Sequence, residues 1–262
     1  MQLTISIVDA QGRIKATATA EGAVTLVYRQ PYAEGDRITM TSDAAGHVVA
    51  LLEDSMAQTY GWLDGTFQLV IPFGEKRISY SPKSFTGEVH LLWARQATPE
   101  EISARRNLAL NVLDSHDNAG LYPHAKANVE TRGESVFAAR NAIDGCFAND
   151  SHGAWPYQSW GINRNPDALW HLDFGRPVTL DELVLTLRAD FPHDNWWRQC
   201  TLELSDGSVY TLALEKTAQR QSFRIAPKTV TWLELKQLLK DETDPSPFPA
   251  LTQLEAWGTE AK

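Results

Sequence analysis

Short segments of alternating apolar and polar residues, separated by turn residues, dominate the first hundred positions of the chain. This alternation is typical of β-strands that bury one face. Turn residues such as Gly12, Gly35 and Gly46 lie between the segments. The predicted strands of this half cover residues 3–8, 23–28, 47–52, 66–71 and 90–95. Many short strands at such spacing predict a β-sandwich.

A helical signal follows these strands. Thr98 is a suitable N-cap, Pro99 suits the first helical position, and Glu100 and Glu101 lie near the positive end of a helix. We therefore predict a short helix from Pro99 to Arg106 as a connector. This divides the chain into a first domain at residues 1–97, a connector at 98–106 and a second domain at 107–262.

The second domain is also predicted to consist of strands, with longer connections between them. Asp206-Gly207 favours a tight hairpin between two of these strands. The predicted fold class is all-β, with two β-sandwich domains joined by a short helix. The predicted strands cover residues 168–174, 182–188, 200–204, 209–214, 223–225, 230–235 and 252–257.

The composition of the chain limits which binding partners and which cellular compartment we expect for this protein. Hydrophobic residues make up 43% of the chain, which is enough for packed cores, and the formal charge of −9 argues against binding to nucleic acid. No apolar run approaches the ~20 residues of a membrane span, so we expect no membrane insertion. The first residues carry no export signal, so we expect a cytoplasmic protein in which Cys146 and Cys200 are reduced thiols.

Several motifs of the second half occur in an order that resembles a known family. They are the segment Ala139–Gly145, Trp160, the segments Leu172–Val178 and Leu180–Leu185, and the final Leu254–Gly258. Residues from about 107 to 258 resemble the discoidin, or coagulation factor five/eight type C, domains and the family 32 carbohydrate-binding modules. The resemblance implies a galactose-binding-like jelly roll that binds a mono- or oligosaccharide through loops at one end.

Two loops concentrate aromatic and polar side chains that suit such a ligand. Adjacent strand residues point to opposite faces, so Trp196 and Trp197 cannot both enter the core from one strand. An exposed indole packs on sugar C–H groups, and polar neighbours bond the hydroxyls. Alternatively, both tryptophans fill the sandwich and the polar groups hold the loop. The candidate ligand-binding residues are His152, Trp155, Tyr157, Arg188, Asp190, His193, Asp194, Asn195, Trp196 and Trp197.

The family resemblance also implies a structural calcium beside the turn that contains Asp144. Carried over residue by residue, Asp144 and Glu255 would supply carboxylates, with Asn141 and Ser151 as further ligands. Such hard oxygen ligands suit calcium. The alternative is that Asp144 only caps its own turn through the backbone.

The chain carries none of the short motifs of metalloproteases, serine hydrolases or nucleotide-binding loops. We therefore predict a non-catalytic, lectin-like glycan-binding protein whose second domain carries the site. One alternative is a glycoside hydrolase or lyase with acidic residues between the domains. The other is a protein–protein adhesion module, which would use the same loops.

Overall fold

The fold consists of two β-rich units joined by one short helix. The computed structural model describes residues 1–150, 153, 155–189 and 195–261. The strands of the first unit are β1 (Gln2–Val8), β2 (Ile14–Glu21), β3 (Ala23–Tyr28), β4 (Arg37–Ser42), β5 (Gly46–Leu51), β6 (Thr59–Leu63), β7 (Thr66–Val70) and β8 (His90–Gln96), followed by helix α1 (Pro99–Ser103). The strands after the helix are β9 (Arg106–Asn107), β10 (Leu121–Tyr122), β11 (His124–Ala127), β12 (Trp160–Gly161), β13 (Trp170–Leu187), β14 (Trp197–Leu204), β15 (Val209–Ala213), β16 (Gln221–Lys240) and β17 (Ala250–Glu260). The predicted all-β fold class is confirmed.

The first unit contains two antiparallel sheets. Their strand orders are β2-β1-β4-β7 and β10-β6-β5-β8-β3. Strand β3 shows the expected alternation, since its residues are exposed and buried in turn. Leu3, Ile5 and Ile7 of β1 are completely buried and contribute to the same core as Phe67 of β7. The alternating pattern in the sequence therefore does place one face of each strand in a shared core.

Helix α1 begins with the predicted cap. The Thr98 hydroxyl accepts a hydrogen bond from the backbone N–H of Glu101, whose carboxylate accepts one from the backbone N–H of Thr98. This reciprocal capping box satisfies two N–H groups at the helix start. The helix ends at Ser103, earlier than the predicted Arg106, because Ala104 is extended and Arg106–Asn107 pairs with β17 as strand β9.

The second unit is built on one sheet with the order β12-β17-β13-β16-β14-β15, to which β11 and β9 are added. Two pairs of predicted strands are in fact the single long strands β13 and β16. Their mutual register shifts between Asp173 and Val178 and again between Leu180 and Glu182. Because the ladder continues through these bulges, side chains from both halves of β13, such as Leu172 and Leu183, share one core. Cys200 is buried in this core, and Cys146, which is half-buried, is also a free thiol.

The segment after the connector packs against the first unit. Val112, Leu113 and Leu121 are buried in the core of the first unit, and β10 pairs with β6. The sequence boundary at residue 107 places this segment in the second domain, but its apolar side chains complete the first core. Among the described residues, no helix is long and apolar enough to cross a membrane.

A cluster of charges lies where the two units meet. The Glu260 carboxylate accepts hydrogen bonds from Arg176 at 2.8 and 2.6 Å and another from Arg106. The Arg106 guanidinium lies 3.8 Å from the ring centroid of Tyr60 in the first unit. His47 of β5 lies 3.8 Å from the same carboxylate. The last strand of the second unit is thereby tied to the first unit.

We expect His47 to make stability depend on pH. Burial lowers the pKa of His47 to about 4, although Glu260 opposes the shift. Between pH 6.5 and 4 the unfolded chain therefore binds a proton that the folded chain does not, so stability falls as the pH falls. Urea unfolding should show that His47→Gln reduces the loss of stability between pH 7 and 5 by up to about 2 kcal/mol. An identical pH dependence in both proteins would contradict this account.

Candidate functional site

A pocket of about 100 Å³ lies at one end of the second unit, beside the ends of β12, β13 and the connection before β17. Its walls combine arginine side chains, aromatic rings and small residues. The lining residues are Thr131, Arg132, Phe137, Gly161, Ile162, Asn163, Arg164, Arg188, Phe248 and Pro249. Arg188, which begins one of the two candidate loops, is among them.

Arg188 directly follows β13 and forms part of the pocket wall. Its side chain is 2% exposed, and its guanidinium lies 4.4 Å from the ring centroid of Tyr157. Its backbone N–H donates to the carbonyl of Ala250 at 3.1 Å, which ties the end of β13 to β17. The structure therefore brings together two predicted ligand-binding residues, Arg188 and Tyr157. A planar guanidinium held against a ring presents its donors in a fixed geometry.

Two phenylalanine rings also line the pocket. The Phe248 ring is 37% exposed, and the Arg164 guanidinium lies 4.6 Å from its centroid. Phe137 is buried and meets Tyr157 edge-on, with 5.8 Å between the ring centroids. Sequence reasoning missed Phe248 and Arg164. The available signal was an aromatic residue flanked by Pro247 and Pro249 in a connection.

The backbone around this pocket is strained. Arg132, Asn163 and Arg164 have φ angles of 54°, 49° and 61°, and they are three of the five non-glycine residues with positive φ in the described part of the chain. A Cβ atom at Gly161 would lie 2.7 Å from Thr131 Oγ1, so this strand position requires glycine. Residues with unfavourable φ angles of this kind are often found at binding sites, where the surrounding structure holds them in that conformation.

Two of the predicted ligand-binding residues, Asn195 and Trp197, have structural roles in the described chain. The Asn195 amide donates to the carbonyls of Asp241, Asp244 and Ser246 at 2.8 to 3.0 Å. Trp197 is 1% exposed and lies in the core, whereas Trp196 is half-buried beside it. Trp197 is the first residue of β14, and Trp196 precedes the strand and is partly buried against the same core. The prediction that Asn195 and Trp197 contact a ligand does not fit this burial.

The other predicted ligand-binding residues fall into two groups. Trp155 is 40% exposed, but it lines a different cleft, between the two units. His152, Asp190, His193 and Asp194 lie outside the described residues and stay predictions. The last three follow Arg188 closely in the sequence.

The residues assigned to calcium are engaged with other groups. The Asp144 carboxylate accepts hydrogen bonds from the Cys146 backbone and from the amides of Gln158 and Gln253, at 2.7 to 3.0 Å. Glu255 accepts two hydrogen bonds from Arg220, each at 2.7 Å. These donors occupy the oxygens that a cation would need, so the contacts do not fit a calcium site.

Asn141, the other proposed ligand that the structure describes, agrees with this conclusion. The Asn141 amide is buried and donates to the carbonyls of Ser135 and Ser159, and Ser151 lies outside the described residues. No group of three or more His, Cys, Asp or Glu side chains in the described chain is arranged to hold a metal. The Asp144 contacts instead match the alternative, in which its side chain caps its own turn.

We expect removal of metal to leave stability unchanged. A cation bound only to the folded state would raise the melting temperature by mass action. Because nitrogen donors already satisfy Asp144 and Glu255, excess chelator should leave the melting curve as it is, and elemental analysis should find no stoichiometric calcium. A melting temperature that falls in chelator and is restored by calcium would establish the site that the family resemblance implies.

Among the comparisons with known proteins, only the comparison with solved structures finds similar proteins. No family model matches the chain, and no curated protein matches it. Chitosan-binding module 1 of a chitosanase/glucanase from Paenibacillus sp. IK-5 is 17% identical with a TM-score of 0.42, covering 58% of this chain and 99% of that chain. The family 32 module of C. perfringens NanJ, solved with galactose, is 13% identical with a TM-score of 0.39, covering 51% of this chain and 91% of that chain.

A third solved structure is a fucose-binding module, SpX-3, from Streptococcus pneumoniae. It is 14% identical with a TM-score of 0.41, and the match covers 59% of this chain and 99% of that chain. These structures include a family 32 carbohydrate-binding module, the family that the sequence resembles. At TM-scores below 0.5, the likeness carries no argument about the ligand or the site of this chain.

Proposed function

We propose that this protein binds a mono- or oligosaccharide in the pocket around Arg188, without catalysing a reaction. The observation that carries the proposal is the exposed Phe248 ring in the same pocket as the buried Arg188 guanidinium. A flat apolar face and a fixed set of donors are the two features that a polyhydroxylated ring requires. The family resemblance predicts a site in loops at one end of this unit, and Arg188 begins one of the two candidate loops.

Each of the pocket residues contributes a different contact to the bound sugar. The Phe248 face packs on sugar C–H groups, and Arg164 stacks on the same ring and supplies donors at the rim. Arg188 donates to hydroxyl oxygens from the pocket wall, with Tyr157 supporting its guanidinium. Arg132 is bonded to Glu134 at 2.5 and 2.7 Å, which offsets its charge. The resulting set of groups suits neutral hydroxyls as acceptors.

The described walls of this pocket favour binding over hydrolysis. Hydrolysis by paired carboxyl groups requires two of them roughly 5 to 10 Å apart across the bond. None of the described lining residues is an Asp or Glu. The described walls of the pocket therefore offer donors and an apolar face rather than an acid and a base.

A glycan array probed with the intact protein tests the proposal. We expect retention on a restricted set of glycans and no retention on the protein-coated spots of the same array. Retention on protein spots alone would favour the adhesion alternative. Release of shortened products from the retained glycans, followed by mass spectrometry, would favour the hydrolase or lyase alternative.

A further inference from the structure

Arg140 is a buried cation at the junction of the two units. Its side chain is 6% exposed, and its guanidinium lies 4.4 Å from the ring centroid of Tyr80 in the first unit. It follows Ala139 in a short 3₁₀ turn, Ala139–Ile143, whose residues are all buried. The position of the guanidinium is therefore fixed by packing on both sides.

The hydrogen bonds of Arg140 go to neutral acceptors. Nη1 donates to Asn141 Oδ1 at 3.2 Å and to Ser79 Oγ at 3.5 Å, and both acceptors are neutral. Nε is buried and has no partner in the described chain. No carboxylate of the described residues lies within the 4.0 Å of an ion pair with Arg140. Arg140 opposes the rise that burial causes in the pKa of Asp144, so the two charges interact, but at more than ion-pair distance. The guanidinium therefore has no directly bonded anion among the described residues.

Arg140 lines a cleft of about 270 Å³ between the two units. The first unit contributes Tyr80 and several serines, and the second contributes Trp155 and Gln158. Trp155 is 40% exposed, which is unusual for an indole and leaves its face available. The cleft thus combines a guanidinium, two aromatic side chains and hydroxyl and amide groups.

We propose that this cleft binds a sugar that carries a carboxylate, of the uronic acid class. The carboxylate accepts from Nη2 of Arg140, because Nη1 is bonded to Asn141 and Ser79 and Nε is buried, and a charge-assisted hydrogen bond of this kind is strong. The sugar ring packs on Trp155, and the Ser81 hydroxyl and the backbone of the cleft meet its hydroxyls. The chain as a whole carries a formal charge of −9, so recognition of an anion must come from this local cation.

One acid, Asp144, lines the same cleft. Its carboxylate accepts three N–H bonds, from Cys146, Gln158 and Gln253, so its oxygens are turned toward these donors. Asp144 therefore favours ligands whose carboxylate reaches Arg140 while their neutral hydroxyls lie beside it. This restricts the site to sugars with a single acidic group at one end.

The cleft is distinct from the pocket around Arg188, because the two share no lining residue. The inference therefore does not depend on the function proposed for that pocket. A variant in one site serves as the control for the other.

Calorimetric titration of the intact protein tests the inference, with D-glucuronate and D-galacturonate as probes. Glucuronamide, D-glucose and D-galactose are the neutral controls. We expect at least one uronate to bind, and each neutral sugar to bind at least ten-fold more weakly. Binding should also weaken as sodium chloride is raised, since an ion pair is screened by salt.

Variants assign the binding to the cleft. Arg140→Gln should weaken uronate binding at least ten-fold, and Arg140→Lys should recover part of the loss. Trp155→Ala should weaken it about ten-fold while remaining folded, because the indole is already partly exposed, and it serves as the test if Arg140→Gln does not fold. Phe248→Ala, in the other pocket, should leave uronate binding unchanged.

Four results would overturn the inference. The first three are a wild-type protein that binds neither uronate, equal binding of glucuronamide and glucuronate, and uronate binding that survives in folded Arg140→Gln and Trp155→Ala proteins. Loss of uronate binding in Phe248→Ala would move the acidic sugar to the Arg188 pocket and would also contradict the inference.

Discussion

Replacement of Trp197 by alanine is expected to lower the free energy of unfolding by about 3 to 5 kcal/mol, the usual effect of deleting a large buried aromatic ring. Trp197 is 1% exposed and lies in the core of the second unit, with its ring centroid 6.0 Å from that of Trp160. Removal of the indole would leave a cavity between strands whose positions are fixed by the sheet. Cavities of this kind collapse only in part.

Trp196→Ala is the matched control. The ring of Trp196, which precedes β14, is half-buried against the same core, and the ammonium group of Lys216 lies 5.1 Å from its centroid. We expect a loss of about 1 to 2 kcal/mol, since part of the ring is already in contact with water. Urea unfolding of the two variants separates these effects. Equal destabilisation by both substitutions would show that the second indole also belongs to the core.

Glu260→Gln is expected to destabilise the protein by about 3 to 5 kcal/mol, because it leaves buried cations without their partner. Arg176 is 8% exposed, and both Arg176 and Arg106 donate to the Glu260 carboxylate. Glutamine preserves the shape of the side chain and removes the charge. The change therefore measures the cost of unpaired arginines at the junction of the two units.

Glu101→Gln is the corresponding control on the surface. Glu101 pairs with Arg95 at 2.7 Å, but both side chains are about a third exposed, at 34% and 33%. Glutamine at this position also retains the capping box. We expect a loss below about 1 kcal/mol, as for other exposed ion pairs. Similar losses from the two Glu→Gln changes in thermal and urea unfolding would contradict the role given to Glu260.

Strands with strong alternation could be predicted from the sequence, and others could not. The predicted segment 23–28 coincides with β3, because its apolar residues point consistently inward. Strand β2 was not predicted, since Ile14–Glu21 consists largely of alanine and threonine and is exposed or half-buried. Strands β4 and β6 were missed as well. Whether these segments join a sheet depends on their pairing with strands that are distant in the sequence. The local pattern of apolar and polar residues does not show that pairing.

The long strands of the second unit were predicted as separate pieces. Gly175 and Pro177 suggest a break, and the structure places them within β13, where the register with β16 shifts. Gly175 has a φ of 66°, and a Cβ atom there would lie 2.3 Å from the Tyr122 ring. The turn residues thus mark a bulge inside a strand rather than its end.

The candidate site could be predicted only where residues are close in sequence to a strand end. Arg188 and Tyr157 meet as the loop argument implies. Phe248 and Arg164 meet through the tertiary fold, which brings two separate connections together. Trp155 was assigned to the same pocket as Arg188, but it lines the cleft between the units instead. Neighbours along one loop can therefore serve different sites.

The central claim is that a glycan binds in the pocket around Arg188, and Phe248→Ala tests it most directly. The ring is 37% exposed, so its removal should leave the melting temperature nearly unchanged. A glycan retained on the array should be titrated into the wild-type and variant proteins by calorimetry. We predict a loss of affinity of roughly ten-fold, the effect of removing one stacking surface worth about 1 to 2 kcal/mol. Unchanged affinity in a folded Phe248→Ala protein would contradict the claim and place the glycan elsewhere.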